Sequence, residues 1–103
     1  MRRVRILASA RTDIAAIFDY IESASGSRAA ARRFTRLLTE QCRHLGRLPA
    51  LLGRLRPELR PGIRSFPFKN YIILMRYVGE ALEIVNVVES HRDVEAIFRK
   101  DEK

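Results

Sequence analysis

His91, Arg92 and Asp93 stand in a row just after an apolar stretch, where a strand's end would hold them firmly and still let them reach solvent. The three could act together on a partner. Equally, Asp93 could cap a following helix and pair with Arg92, an exposed ion pair worth only ~0–1 kcal/mol, and the two roles can coexist. Breaking a phosphodiester in RNA needs a base for the 2′-hydroxyl, cations for the phosphorane and an acid for the leaving oxygen. Arg64, Arg76 and Arg92 could hold the phosphate, but no residue is identified as the acid and the base, so no catalytic residue is assigned. Cys42, the single cysteine, falls on the apolar side of a helical pattern, where a small buried thiol is expected and not a nucleophile. His44 lies off that stripe, as a solvated residue. His44 and His91 are far apart, and no His or carboxylate pair has the spacing of a metal site, so neither metal nor cofactor is expected.

The charges that would attract a partner are unevenly spread. Between residues 28 and 76 there are twelve basic and two acidic side chains, and from 77 onward four basic and seven acidic. Seventeen of the twenty cationic residues are Arg, whose fork suits carboxylates and phosphates alike. The middle of the chain therefore calls for an anionic partner, either an acidic protein segment or nucleic acid bound through its phosphates. Nothing specifies bases. The lone cysteine fits a reducing compartment, and the apolar run behind the charged N-terminus, Ile6-Leu7-Ala8, is too short for a signal peptide or a membrane span. A cytoplasmic protein without membrane contact is expected.

The elements that would position these groups follow from periodicity. Residues 3–8 alternate as a short strand, and Ser9 is in place to cap the helix behind it, a cap worth roughly 1 kcal/mol. In that helix Ile14, Ile17, Phe18 and Ile21 form one stripe, leaving Asp13, Asp19 and Glu22 for the wet side. Gly26 ends it, Ser27 caps the next, and so short a link makes an antiparallel pair. The second helix buries Ala31, Phe34, Leu38, Cys42 and Leu45, exposes Arg32, Arg33, Arg36, Arg43 and Arg47, and stops at Gly46 and Pro49. Residues 49–61 read as a connecting loop, closed by the turn former Pro61-Gly62. Arg64, Phe66 and Phe68 then alternate against Ile63, Ser65 and Pro67, and Pro67 places that strand at an edge, a bulge or its own end. The unbroken run at 71–75 reads as a central strand covered on both faces. Gly79-Glu80 turns into a last strand at 82–89, and Asp93 could cap a short helix carrying Val94, Ile97 and Phe98. The sum is one α+β domain over 1–103, β-α-α-β-β-β. Its antiparallel-rich sheet has the helical hairpin on one face and a short C-terminal helix.

The wording of residues 58–68, Glu-Leu-Arg-Pro-Gly-Ile-Arg-Ser-Phe-Pro-Phe, followed by the strand opened by Tyr71, by Leu82-Glu83-Ile84-Val85-Asn86-Val87-Val88 and by His91-Arg92-Asp93, resembles the ParE branch of the RelE/ParE toxin superfamily. The resemblance spans nearly the whole chain. It implies the same fold, a cognate ParD-like antitoxin that wraps the toxin in a hetero-oligomer, and inhibition of DNA gyrase by the free protein. The alternatives are a ribosome-dependent messenger endonuclease like the RelE branch and a member that only binds its antitoxin. For the endonuclease, Arg64 and Arg92 match the family's basic positions by motif, but Tyr71 stands where an Arg opens the third strand and Phe98 where a Tyr is found. Candidate antitoxin contacts are Arg56, Arg60, Arg64, Phe66, Phe68 and Arg76, from the basic middle and the exposed side of the sheet. Candidate gyrase contacts are His91, Arg92, Asp93, Ile97 and Phe98.

Overall fold

The computed structural model describes residues 2–91, in the order β1 (Arg3–Ile6), α1 (Ala8–Ser25), α2 (Arg28–Arg47), β2 (Arg54–Leu55), β3 (Arg64–Phe68), β4 (Tyr71–Val78) and β5 (Ala81–Glu89). Asp93 and the expected helix behind it lie outside the described residues. The five strands form one sheet in the order β1-β5-β4-β3-β2, with β1 parallel to β5 and every other pairing antiparallel. β4 is thus central, as its apolar run requires. Two-residue turns join β3 to β4 and β4 to β5, with Phe68 opposite Tyr71 and Val78 opposite Ala81. Gly79, at φ 57°, supplies the left-handed backbone that the second turn needs. Pro67 pairs with Ile72 on its β4 side, while β2 reaches only Arg64 and Ser65. Its missing amide therefore falls where β3 is an open edge.

α1 and α2 pack as an antiparallel hairpin on one face. Gly26 closes α1 in the left-handed conformation, φ 70°, and Ser27 Oγ accepts from the Ala30 amide at 3.1 Å to open α2. Ile17, Leu38, Cys42 and Leu45 meet Tyr71, Ile73, Met75, Leu82, Ile84 and Val87 of the sheet, with Ile14 and Phe34 packed against them. A second, smaller core lies on the opposite face, where Leu59 and Ile63 cover Leu74, Val85 and Val88. A β-bulge allows β5 to serve both. The register steps from Leu74 opposite Asn86 to Met75 opposite Ile84, so Val85 is the extra residue, and Ile84 and Val87 face the helices while Val85 and Val88 face the other way.

Three expectations need correction. Ser9 is not the cap of α1: Leu7 occupies that position without a side-chain bond, and Ser9 Oγ donates to the Val85 carbonyl instead. Asp13 is not on the wet side, for its Oδ2 accepts from the Val87 amide and from Asn86 Nδ2, both at 2.9 Å. The two changes have one cause. β1 leaves β5 after Ile6, where the Leu7 amide still reaches the Ile84 carbonyl, and beyond it the bare edge of β5 is satisfied by side chains of α1. Third, residues 49–61 are more than a connection, since they contain β2 and Leu59, part of the cover of the second core. Gly46 also differs from a helix stop. It is buried inside the last turn of α2, and a Cβ there would stand 2.2 Å from Val4 Cγ2, so its smallness lets β1 approach the helix.

Cys42 is fully buried, and loss of solvation pushes its thiol up from 9.0 to about 11 against smaller lowering effects of its backbone and Arg43. The unfolded chain then releases this proton about two pH units before the native one. Stability from this group is complete below pH 9 and falls as pH rises toward 11, by about 1.4 kcal/mol per unit. Urea midpoints at pH 8 and pH 10.5 should differ more in the parent than in Cys42→Ala.

Candidate functional site

The six candidate contact residues of the middle face in different directions. Arg64, Phe66 and Phe68 share the helix-side face of β3. Phe68 meets Phe34 edge-on at 6.0 Å between ring centres, and Phe34 also lies 5.6 Å from Tyr71. The rings of Phe66 and Phe68 are half-buried against the main core. Arg64 donates to the Gly53 carbonyl at 3.0 Å, with its guanidinium 6.0 Å from the Tyr77 ring. Arg2 stands 4.8 Å from the same ring and reaches the Leu48 carbonyl, while the Tyr77 hydroxyl accepts from the Leu52 amide. This group fastens the segment after α2 to the sheet.

Arg76 projects from the other face. Its Nε donates to Glu83 Oε1 at 2.7 Å, and Arg5 stands 3.6 Å from Glu83 Oε2. The Glu83 side chain is only 10% exposed against 55% for Arg5, so one nearly buried carboxylate holds two outward-reaching cations on the open sheet. Arg3, two places from Arg5, continues that basic face beside the exposed Val78. Arg56 donates to Glu58 Oε2 at 2.6 Å, and that hydrogen bond above all holds the Glu58 carboxyl below its usual range. Arg60 is half-buried in the same loop, its carbonyl accepting from the Ile63 amide.

Sequence reasoning missed two residues of this region. Leu51 and Leu55 are 55% and 52% exposed, beside Arg54 and Arg56 at the β2 edge. Both fall in the stretch without period, so no pattern distinguished them from core leucines. At the far end of the sheet, the Ser90 amide and hydroxyl both donate to the Asn70 carbonyl, which fixes the exit of β5 beside the β3–β4 turn and leaves His91 exposed. Arg92, Asp93, Ile97 and Phe98 lie outside the described residues. Tyr71 is buried, and its phenol is pushed above its ordinary value by that burial first and by Glu89 and Tyr20 second. Among the described residues, no three His, Cys, Asp or Glu side chains are grouped to hold a metal ion, and no helix is long and apolar enough to cross a membrane.

Two helices on one face of a mostly antiparallel sheet are the arrangement that the resemblance named above implies. Residues 4–94 match the family described as ParE toxin of type II toxin-antitoxin system, parDE, and the chain belongs to that family. Among solved structures it is similar to one described as the chromosomal ParDE TA system from P. aeruginosa. The TM-score is 0.74 and the identity 21%, over 86% of this chain and 96% of that one, a likeness of fold. No curated protein matches the sequence.

Proposed function

We propose that this ParE-family toxin acts by binding, that a cognate ParD-like antitoxin neutralises it, and that the free protein blocks DNA gyrase in the cytoplasm. The observation that carries the antitoxin reading is the β2 edge. Among the described residues β2 ends the sheet and nothing pairs with its outer side, with Leu51 and Leu55 as apolar anchors and Arg54, Arg56 and Arg60 close by in sequence. An acidic, extended segment that adds to this edge gains main-chain hydrogen bonds, side-chain pockets and opposite charge together. Two features support binding over messenger cleavage: Arg64 is turned to the helix side and engaged with Gly53, and Tyr71 is buried with its proton held more tightly. A cleft without an available acid or base forgoes the ~10²–10⁴-fold such groups supply.

With purified gyrase, relaxed plasmid and ATP, the protein should block supercoiling, and in a translating ribosome system it should leave the message intact. Codon-specific cleavage of ribosome-bound message would replace this reading with the endonuclease one. Removal of everything after Ser90, and with it Arg92, Asp93, Ile97 and Phe98, should abolish gyrase inhibition while antitoxin binding persists. Leu51→Asp with Leu55→Asp should weaken the antitoxin about 10- to 100-fold, the worth of one or two leucines kept from burial. Unchanged affinity would remove the β2 edge from the interface.

A further inference from the structure

We infer that the outer face of α2 is a docking surface for the phosphate backbone of double-stranded DNA. Arg32, Arg36, Arg43 and Arg47 are all exposed. At 3.6 residues per turn they fall within an arc of about 60° and run along about 22 Å of helix. Between Arg36 and Arg43 the arc is bordered at equal angles by Thr39 and Glu40, and the Thr39 hydroxyl turns back to the Thr35 carbonyl at 2.9 Å. Among the described residues none of these four guanidinium groups has a hydrogen bond or an ion pair, whereas Arg5 and Arg76 on the sheet share Glu83. Glu40, the one acidic residue of α2, borders the arc without bridging to it.

The shape of the stripe selects the partner. An acidic amphipathic peptide needs apolar anchors, but the groove that Ile6, Ile14 and Phe18 line between the helices meets the row only at Arg43, and the exposed Leu37 lies about 80° outside the arc, so the row outruns both. A duplex needs none. It carries a phosphate every ~1.7 Å of axis counting both strands, so a row of forked cations about 22 Å long can reach several of them and needs no particular sequence.

The test is fluorescence anisotropy of the full chain with a mixed-sequence duplex of about 20 base pairs, titrated from about 50 to about 200 mM KCl. Four phosphate contacts give a log–log salt slope of about −3.6, hence a loss of affinity of roughly 100-fold over that range. Arg36→Gln with Arg43→Gln should halve the slope, and the quadruple Gln variant should bring it near zero. Arg3→Gln with Arg5→Gln, the same change in net charge on the open sheet, should leave it as it was. Absence of duplex binding by the parent at the lowest salt would overturn the inference, as would equal slopes for the two double variants. A poly-glutamate chain that displaces the duplex at equal charge concentration would also overturn it, in favour of an acidic protein partner. Far-UV circular dichroism of each variant checks that α2 is retained.

Discussion

Asp13→Ala should lower the unfolding free energy by about 2–5 kcal/mol, because it strands two donors at once, each costing about 1–3 kcal/mol when buried and unpaired. The Val87 amide and the Asn86 side chain both bond to Asp13 Oδ2, and both residues are at least nine-tenths buried. A loss of that size is a large share of the roughly 5–15 kcal/mol that holds a small domain together. Asp13→Asn should fall between, since its amide oxygen can stand in for Oδ2 and accept from both donors, but as a neutral and therefore weaker acceptor. Asp19→Ala, on the exposed side of the same helix, should stay within about 0.5 kcal/mol of the parent. Urea unfolding followed at 222 nm separates these outcomes. An Asp13→Ala protein with the parent's midpoint would mean that α1 does not finish the β5 edge.

Gly46→Ala should reverse its sign with its background. Alanine favours a helix interior over glycine by about 1 kcal/mol, yet here the new Cβ would stand 2.2 Å from Val4 Cγ2 and force β1 outward. Overpacking of this kind costs about 1–3 kcal/mol, so Gly46→Ala alone should destabilise. In a Val4→Ala background the obstructing atom is gone, and the same substitution should become neutral or stabilising. The non-additivity of the double-mutant cycle measures the contact directly. A Gly46→Ala protein more stable than the parent would show that β1 has room to spare.

The strands that depend on local pattern were legible in the residues. The 71–75 run marked β4 as central, Gly79-Glu80 marked its turn, Gly26-Ser27 joined the helices, and Pro67 pointed to an edge. What misled were residues with two local uses, decided only by distant partners. Ser9 and Asp13 look like a cap and a wet-side carboxylate until it is known that β1 stops short of β5's end. Gly46 has the look of a helix terminator, and only Val4 explains it. The candidate site was legible as a basic middle but not as directions in space. Arg64 and Arg76 belong to neighbouring strands, yet one points to the helices and the other to the open sheet, because a strand alternates and the pairing register decides which set goes where.

The parallel pairing of β1 with β5 has a consequence for the newborn chain. β1 is the first of the described strands to be made and β5 the last, while α1 and α2 meet each other through neighbouring sequence. At about 5–20 residues per second the helical hairpin can form seconds before its floor exists. The Arg5–Glu83–Arg76 group is assembled from β1, β5 and β4, so an unfinished polypeptide has the cations but not the carboxylate that arranges them. Chains cut short in translation therefore lack the finished open sheet face, which appears all at once as β5 slides between its two neighbours.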